Sequence, residues 1–242
     1  MSMIKTALIS VSDKKNLKPL LNILRKYKIK IISSNGTYKE IKKLKFKCLE
    51  VSEFSNSPEI LEGRVKTLHP KIHAGILNKR SNKSHQSEMR KNDFENIDLV
   101  IVNFYPFENT LKNTNNHNKI IENIDVGGPT MVRSAAKNYK DVTVITSSSQ
   151  YGELIEELKN NKGSTTLEFR EKLSRIAFTE TAYYDSVISN YFNNISNTTF
   201  PDKHIFHANL IETPHGLACL TITVPLFFGK DFEIVNAAKI SL

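Results

Sequence analysis

Apolar positions along this chain alternate between two periods. Thr6 to Val11 is a short apolar run closed by small polar residues, the pattern of a strand buried on both faces. Leu17, Leu20, Leu21 and Leu24 then recur at helical spacing, and Pro19 falls in the first turn, where a missing N–H is tolerated. Ile29 to Ile32 reads as a second strand, followed by the polar loop Ser33-Ser34-Asn35-Gly36-Thr37, a short helix through Ile41 and Leu44, and a third strand around Cys48 to Val51. Asp98 to Phe104 is the clearest strand of the sequence, and Val142 to Ile145 is another buried one. Gly127-Gly128-Pro129 opens a helix to about Lys137, and Gln150 to Lys159 is helical. Strands separated by helices in this way predict an α/β fold with a central, mostly parallel sheet flanked by helices.

Two stretches break the alternation. From Ser52 to Leu77 periodicity is lost while chemically rich residues accumulate; Ser81 to Asn96 reads as a solvated helix and Asn113 to Asn118 as a polar loop. A long helical segment begins near Thr165, where Thr165 and Glu168 match a capping box, and carries an apolar face to about Ile195. Beyond it Asn197-Thr198-Thr199 is linker-like, and strand-like stretches follow, Leu217 to Leu226 above all. The expected organisation is one domain over residues 1–195 and a linker with a short divergent tail over residues 196–242.

Composition narrows the classes. The chain of 242 residues is 39% hydrophobic, enough for the core of one large domain, and no apolar run approaches the length of a membrane span. Met1 to Lys5 leads directly into a strand-like segment without a signal-peptide pattern. Only Cys48 and Cys219 are present, which excludes a disulfide framework and a cysteine-based zinc site and points to reduced thiols in the cytoplasm. The net charge of +9 points to an anionic partner. Its lysines are scattered among asparagines and isoleucines, with no dense block and no nucleic-acid motif, so a small phosphate-bearing molecule is expected rather than nucleic acid.

Ligands of doubly wound sheets gather at the carboxyl ends of strands, and three polar clusters sit there. Ser10, Ser12 and Lys14 follow the first strand, Ser33, Ser34, Gly36 and Thr37 the second, Asn103 and Tyr105 the strongest. Hydroxyls, a glycine and free N–H groups at a helix start suit a phosphate, although each cluster alone also reads as a helix cap. Gly63 to Pro70 packs Arg64, Lys66 and Thr67 into an irregular segment that Leu68 and Ile72 are expected to anchor in the core. His69 and His73 have the spacing of a helical metal pair, but Pro70 disfavours a continuous helix and no third ligand is evident. Asp125 before the glycines is either an ordinary cap or a base, and Lys137 either a cation at a helix C-terminus or a catalytic group; the residues alone leave both readings open.

Taken together, Ser10-Val11-Ser12-Asp13-Lys14, the stretch Glu59 to Pro70, Asn103-Phe104-Tyr105-Pro106-Phe107, Ile124 to Pro129 and Ala135-Ala136-Lys137-Asn138 resemble the IMP cyclohydrolase family in order and spacing. The resemblance runs from about Ile4 to Ile195, and Gly63 to Pro70 is its most specific part. It implies a methylglyoxal-synthase-like α/β domain with a C-terminal helical segment, a homodimer, a nucleotide substrate, and no metal or organic cofactor; composition already argues against a membrane or nucleic-acid partner. It implies Lys66, Tyr105, Asp125 and Lys137 as catalytic residues. It further implies that Ser12, Lys14, Ser34, Gly36, Thr37, Arg64, Thr67, Asn103 and Gly127 surround the nucleotide. Two departures are visible. Asn35 stands where the family usually has a second glycine, and asparagine tolerates positive φ better than most residues. Phe200-Pro201 and Thr213-Pro214-His215 resemble the entry to the transformylase half of the bifunctional members, after which the match dissolves; no transformylase activity is expected. A regulatory nucleotide-binding module and a phosphate-eliminating lyase of the same fold are the competing expectations.

Overall fold

A computed structural model of the chain describes residues 2–195, 210–212 and 218–220. Strand β1 (Ser2–Met3) leads into β2 (Thr6–Val11), α1 (Leu17–Lys26), β3 (Lys30–Ser33), α2 (Asn35–Lys43), β4 (Leu49–Glu50) and α3 (Val51–Ser55). A 3₁₀ turn at Leu61–Gly63 precedes α4 (Pro70–Leu77) and α5 (Lys83–Lys91). Then come β5 (Leu99–Asn103), α6 (Phe107–Asn113), α7 (His117–Glu122), α8 (Gly127–Lys137), β6 (Thr143–Ile145), α9 (Tyr151–Asn160), β7 (Ser164–Thr165) and α10 (Leu167–Ile195).

Five strands pair in parallel in the order β4-β3-β2-β5-β6. Ala7, Leu8, Ile9, Leu99 and Val100 are fully buried, as continuous apolar runs in a sheet covered on both faces must be. On the covering layers α1 packs beside α9, and α8 packs against both α4 and α10. Chain order reverses between β2 and β5, which are neighbours in the sheet although 93 residues of sequence separate their first residues' surroundings at Lys5 and Asp98. That reversal opens a crevice at the carboxyl ends of the two strands, where Val11 lies opposite Asn103.

Several boundaries differ from the sequence pattern. Asn35, Gly36 and Thr37 form the first turn of α2 rather than a loop: Ser34 takes the extended N-cap conformation, and Asn35 carries a positive φ of 31°. Thr165 does not cap α10. It belongs to β7, paired with β1 outside the main sheet, and its hydroxyl shares a buried hydrogen bond with Thr143 at 2.9 Å. Thr166 caps instead, accepting the Phe169 N–H at 3.2 Å. Leu68 is 37% exposed, so Thr67 and Ile72, both buried, anchor the Gly63–Pro70 segment. A continuous helix does begin at Pro70, with His69 as its cap.

The chain divides into two compact units, Met1–Asn197 and Thr198–Leu242. Within the second, β8 (Leu210–Glu212) and β9 (Ala218–Leu220) pair antiparallel. The rest of the strand expected over Leu217 to Leu226 lies outside the described residues, as does the linker at Asn197-Thr198-Thr199.

Candidate active site

One wall of the crevice is built from the ends of β2 and β3. The Thr37 hydroxyl accepts the Val11 N–H at 3.0 Å and donates to the Val11 carbonyl at 2.9 Å. Asn103 Oδ1 accepts the N–H groups of Ser12 and Asp13 at 2.6 and 3.0 Å, while its Nδ2 donates to the Asp13 carbonyl at 3.1 Å. Both side chains shape the turn after β2 rather than offering free groups to a ligand. Ser10 and Ser34 share a hydrogen bond at 2.7 Å, and Ser33 turns inward to the Ile9 carbonyl. What faces the cavity is the start of α2, whose first N–H groups have no carbonyl one turn earlier, together with Lys14. Lys14 Nζ donates to the Ser12 carbonyl at 3.2 Å and lies 3.8 Å from the space a side chain on Gly36 would occupy. Unpaired N–H groups and an ammonium at a helix start make an anion site.

Three separated segments form the opposite wall. Gly63, at φ +89°, turns the chain so that Lys66 and Thr67 point inward. Gly127 is required by contact: a Cβ there would come within 2.3 Å of Thr67 Oγ1. Asp125 Oδ1 accepts the Gly128 N–H at 2.8 Å, and Gly128 leaves room for the carboxylate, which a Cβ would meet at 2.4 Å. Burial holds the Asp125 carboxyl above its ordinary value; the Gly128 N–H, the Lys66 charge and the Tyr105 N–H pull the other way without overcoming it. Tyr105, 45% exposed, has its phenol pushed up by burial and by the Asp125 charge, so it stays a proton donor. Arg64 reaches across to pair with Glu122 of α7.

Both walls enclose a cavity of about 610 Å³, within the range of small-molecule sites. Ser12, Lys14, Ser34, Gly36, Thr37, Arg64, Lys66, Thr67, Asn103, Tyr105, Asp125 and Gly127 all line it. Lys137 does not. It sits exposed in the last turn of α8, whose eleven residues at about 1.5 Å each put it roughly 15 Å from Gly127. The two histidines are engaged elsewhere: His69 Nδ1 accepts the Lys71 N–H at the start of α4, and His73 Nδ1 meets Ser134 Oγ at 3.2 Å.

Two contacts of the site have no counterpart in the sequence pattern. Glu122 lies in a segment with no motif, and only the packing of α7 brings it to Arg64. Tyr184 of α10 accepts the Asp125 N–H at 2.8 Å from 59 residues away. Neither leaves a local signal, since each acts through one long-range contact.

Residues 16–130 match the family model described as an MGS-like domain, and residues 135–214 match the AICARFT/IMPCHase bienzyme model. The bifunctional purine biosynthesis protein PurH of Prochlorococcus marinus subsp. pastoris is 51% identical over 186 residues, covering 76% of this chain and 36% of that protein. PurH of Clostridioides difficile is 48% identical over 200 residues, covering 83% of this chain and 39% of that protein. The chain thus spans well under half the length of these curated relatives. The crystal structure of ForH superposes with a TM-score of 0.70 at 30% identity, covering 78% of this chain and 99% of that one. With an MGS-like α/β fold, a crevice at the switch point of its sheet and these similarities along its length, the chain belongs to the PurH family.

Proposed function

We propose that this chain is an IMP cyclohydrolase, closing 5-formamidoimidazole-4-carboxamide ribonucleotide to IMP with loss of water, in purine biosynthesis as its relatives' names describe. One observation carries the reading: a single cavity sets an anion-binding helix start and Lys14 opposite Lys66, Tyr105 and a carboxylate of raised proton affinity, Asp125.

The 5′-phosphate occupies the α2 start, which leaves the base against the second wall. Ring closure needs the carboxamide nitrogen to attack the formyl carbon. Holding the two arms together supplies much of the barrier reduction. Asp125 takes a proton from the carboxamide nitrogen as the N–C bond forms, and a raised pKa brings such a base nearer the operating pH. The formyl oxygen gathers negative charge, which the Lys66 ammonium stabilises, and Tyr105 relays a proton to it. Water leaves when that hydroxyl is protonated and the former formamido nitrogen gives up its hydrogen, which completes the ring double bond.

The homodimer is part of the same proposal. Lys137 cannot reach the cavity of its own chain, so a role for it in catalysis requires a second copy. The competing reading, a module that binds an IMP-like nucleotide without turnover, draws on the same placement of Lys137. Incubating the purified chain with the formylated ribonucleotide and following hypoxanthine absorbance separates the two. Turnover by a dimeric species is expected, and tight binding without absorbance change would leave only the binding module.

A further inference from the structure

Asp125 is held on two sides by different elements. Its carboxylate rests on the start of α8 through the Gly128 N–H, and its backbone N–H is donated at 2.8 Å to Tyr184 Oη. Tyr184 lies in the second half of α10, only 6% exposed, and its hydroxyl also donates toward the Asn123 carbonyl at 3.5 Å. One oxygen therefore bridges the two peptide groups that flank Ile124, just before the carboxylate.

The ring of the same residue packs on the segment that presents the phenol. Its centroid lies 4.9 Å from that of Phe104, which directly precedes Tyr105, and 6.3 Å from that of Phe107, which opens α6. Phe107, Ile120, Tyr184 and Val187 form a small core of their own, separate from the main one beneath the sheet. Burial pushes the Tyr184 phenol up to about 12, so it is a neutral hydroxyl wherever the enzyme works. It lines an adjoining cavity that shares Tyr105 with the proposed nucleotide cavity, but not the nucleotide cavity itself.

We infer that Tyr184 is a positioning residue, which aims the Asp125 carboxylate and the Tyr105 phenol from α10 without touching the substrate. The inference rests on the cyclohydrolase reading for its kinetic consequence but not for its structural one. Tyr184→Phe removes the hydroxyl and keeps the ring; Tyr184→Leu removes both. In the full chain Tyr184→Phe should lower kcat about ten- to a hundredfold, the cost of a small misplacement, with KM for the formylated ribonucleotide within about twofold of the parent. The melting temperature should stay close to the parent's, and hydrogen exchange at the Asp125 amide should accelerate while that of sheet amides does not. Tyr184→Leu should lower kcat further. Unchanged kcat in Tyr184→Phe, or kcat and KM deteriorating together with the melting temperature, overturns the inference. Should the parent chain show no turnover, the cyclohydrolase reading falls, and amide exchange decides the clamp on its own: acceleration confined to the Asp125 turn supports it, unaltered exchange overturns it.

Discussion

The two walls of the cavity are stabilised in opposite ways. On the β2–β3 wall the polar side chains are satisfied within the wall: Thr37 closes on the Val11 backbone, Asn103 on the backbone of Ser12 and Asp13, and the Ser10 and Ser34 hydroxyls on each other. That wall is set before any ligand arrives, and it offers backbone N–H groups and one lysine. On the other wall Asp125 sits where burial works against its charge, and Tyr105 beside it is pushed further from ionisation. On the proposed function the satisfied wall recognises the phosphate, and the wall where burial opposes charge moves protons. Affinity and turnover should therefore be separable by mutation, one wall at a time.

The largest effect should come from the strained wall. Asp125→Asn removes the proposed base and should cost about 10²–10⁴ in kcat, the usual contribution of general-base catalysis. Its effect on stability should have the opposite sign. The folded carboxyl binds its proton more tightly than the unfolded one, so ionising it costs stability as pH rises from the ordinary 3.8 through the higher folded value, and that cost is complete above it. Asparagine escapes this cost while still accepting from Gly128. Denaturant unfolding near neutral pH should therefore show Asp125→Asn at least as stable as the parent, with the advantage vanishing at pH below 3.8. A variant destabilised near neutrality would mean that the ionised carboxylate stabilises the fold, and the contrast between the walls would be lost.

Lys66→Ala should cost about 10²–10³ in kcat, as removal of one oxyanion-stabilising group does, with nucleotide affinity little altered. More than half of the parent's activity in this variant would take Lys66 out of the chemistry. If Lys137 acts from a second copy, mixing Lys66→Ala chains with Lys137→Ala chains should restore about a quarter of the parent activity. Half the dimers are then hybrid, and in each hybrid one of the two symmetric sites is intact. No recovery in exchanged dimers, measured by the same absorbance assay, would leave Lys137 as a helix-terminal cation.

The smallest effect belongs to the recognising wall. Lys14→Ala should weaken IMP about tenfold, the range of one exposed charge-assisted hydrogen bond, and should leave inosine unaffected because the nucleoside lacks the phosphate. Calorimetric titration with both ligands reads this directly. Equal weakening of the two would place the phosphate elsewhere.

Much of this molecule was legible in one dimension. The strands at Thr6–Val11 and Leu99–Asn103 and helices α1, α8 and α9 fall close to where apolar periodicity put them, because each element buries a face its own residues define. The polar clusters at strand ends were legible too, since carboxyl ends of parallel strands are where such folds bind ligands. Structure and sequence pattern part where a local signal meets a tertiary partner: Thr165 has the pattern of a cap but pairs with β1, and Leu68 that of an anchor although Thr67, admitted by Gly127, fills that role.

Which loops meet depends on packing between distant segments. Local residue pattern is enough for the elements, the hydroxyl-rich strand ends and the residue types of the proposed nucleotide site. It contains no information at short range on strand order, and the reversal between β2 and β5 is what brings Asn103 onto Ser12 and the Asp125 turn within reach of Lys66. For the same reason the sequence sets Lys137 one helix after Asp125, and only the rise of that helix keeps it out of the cavity of its own chain. It was equally silent on Tyr184, because a single hydrogen bond across 59 residues depends on how α10 packs and on nothing near it in the chain.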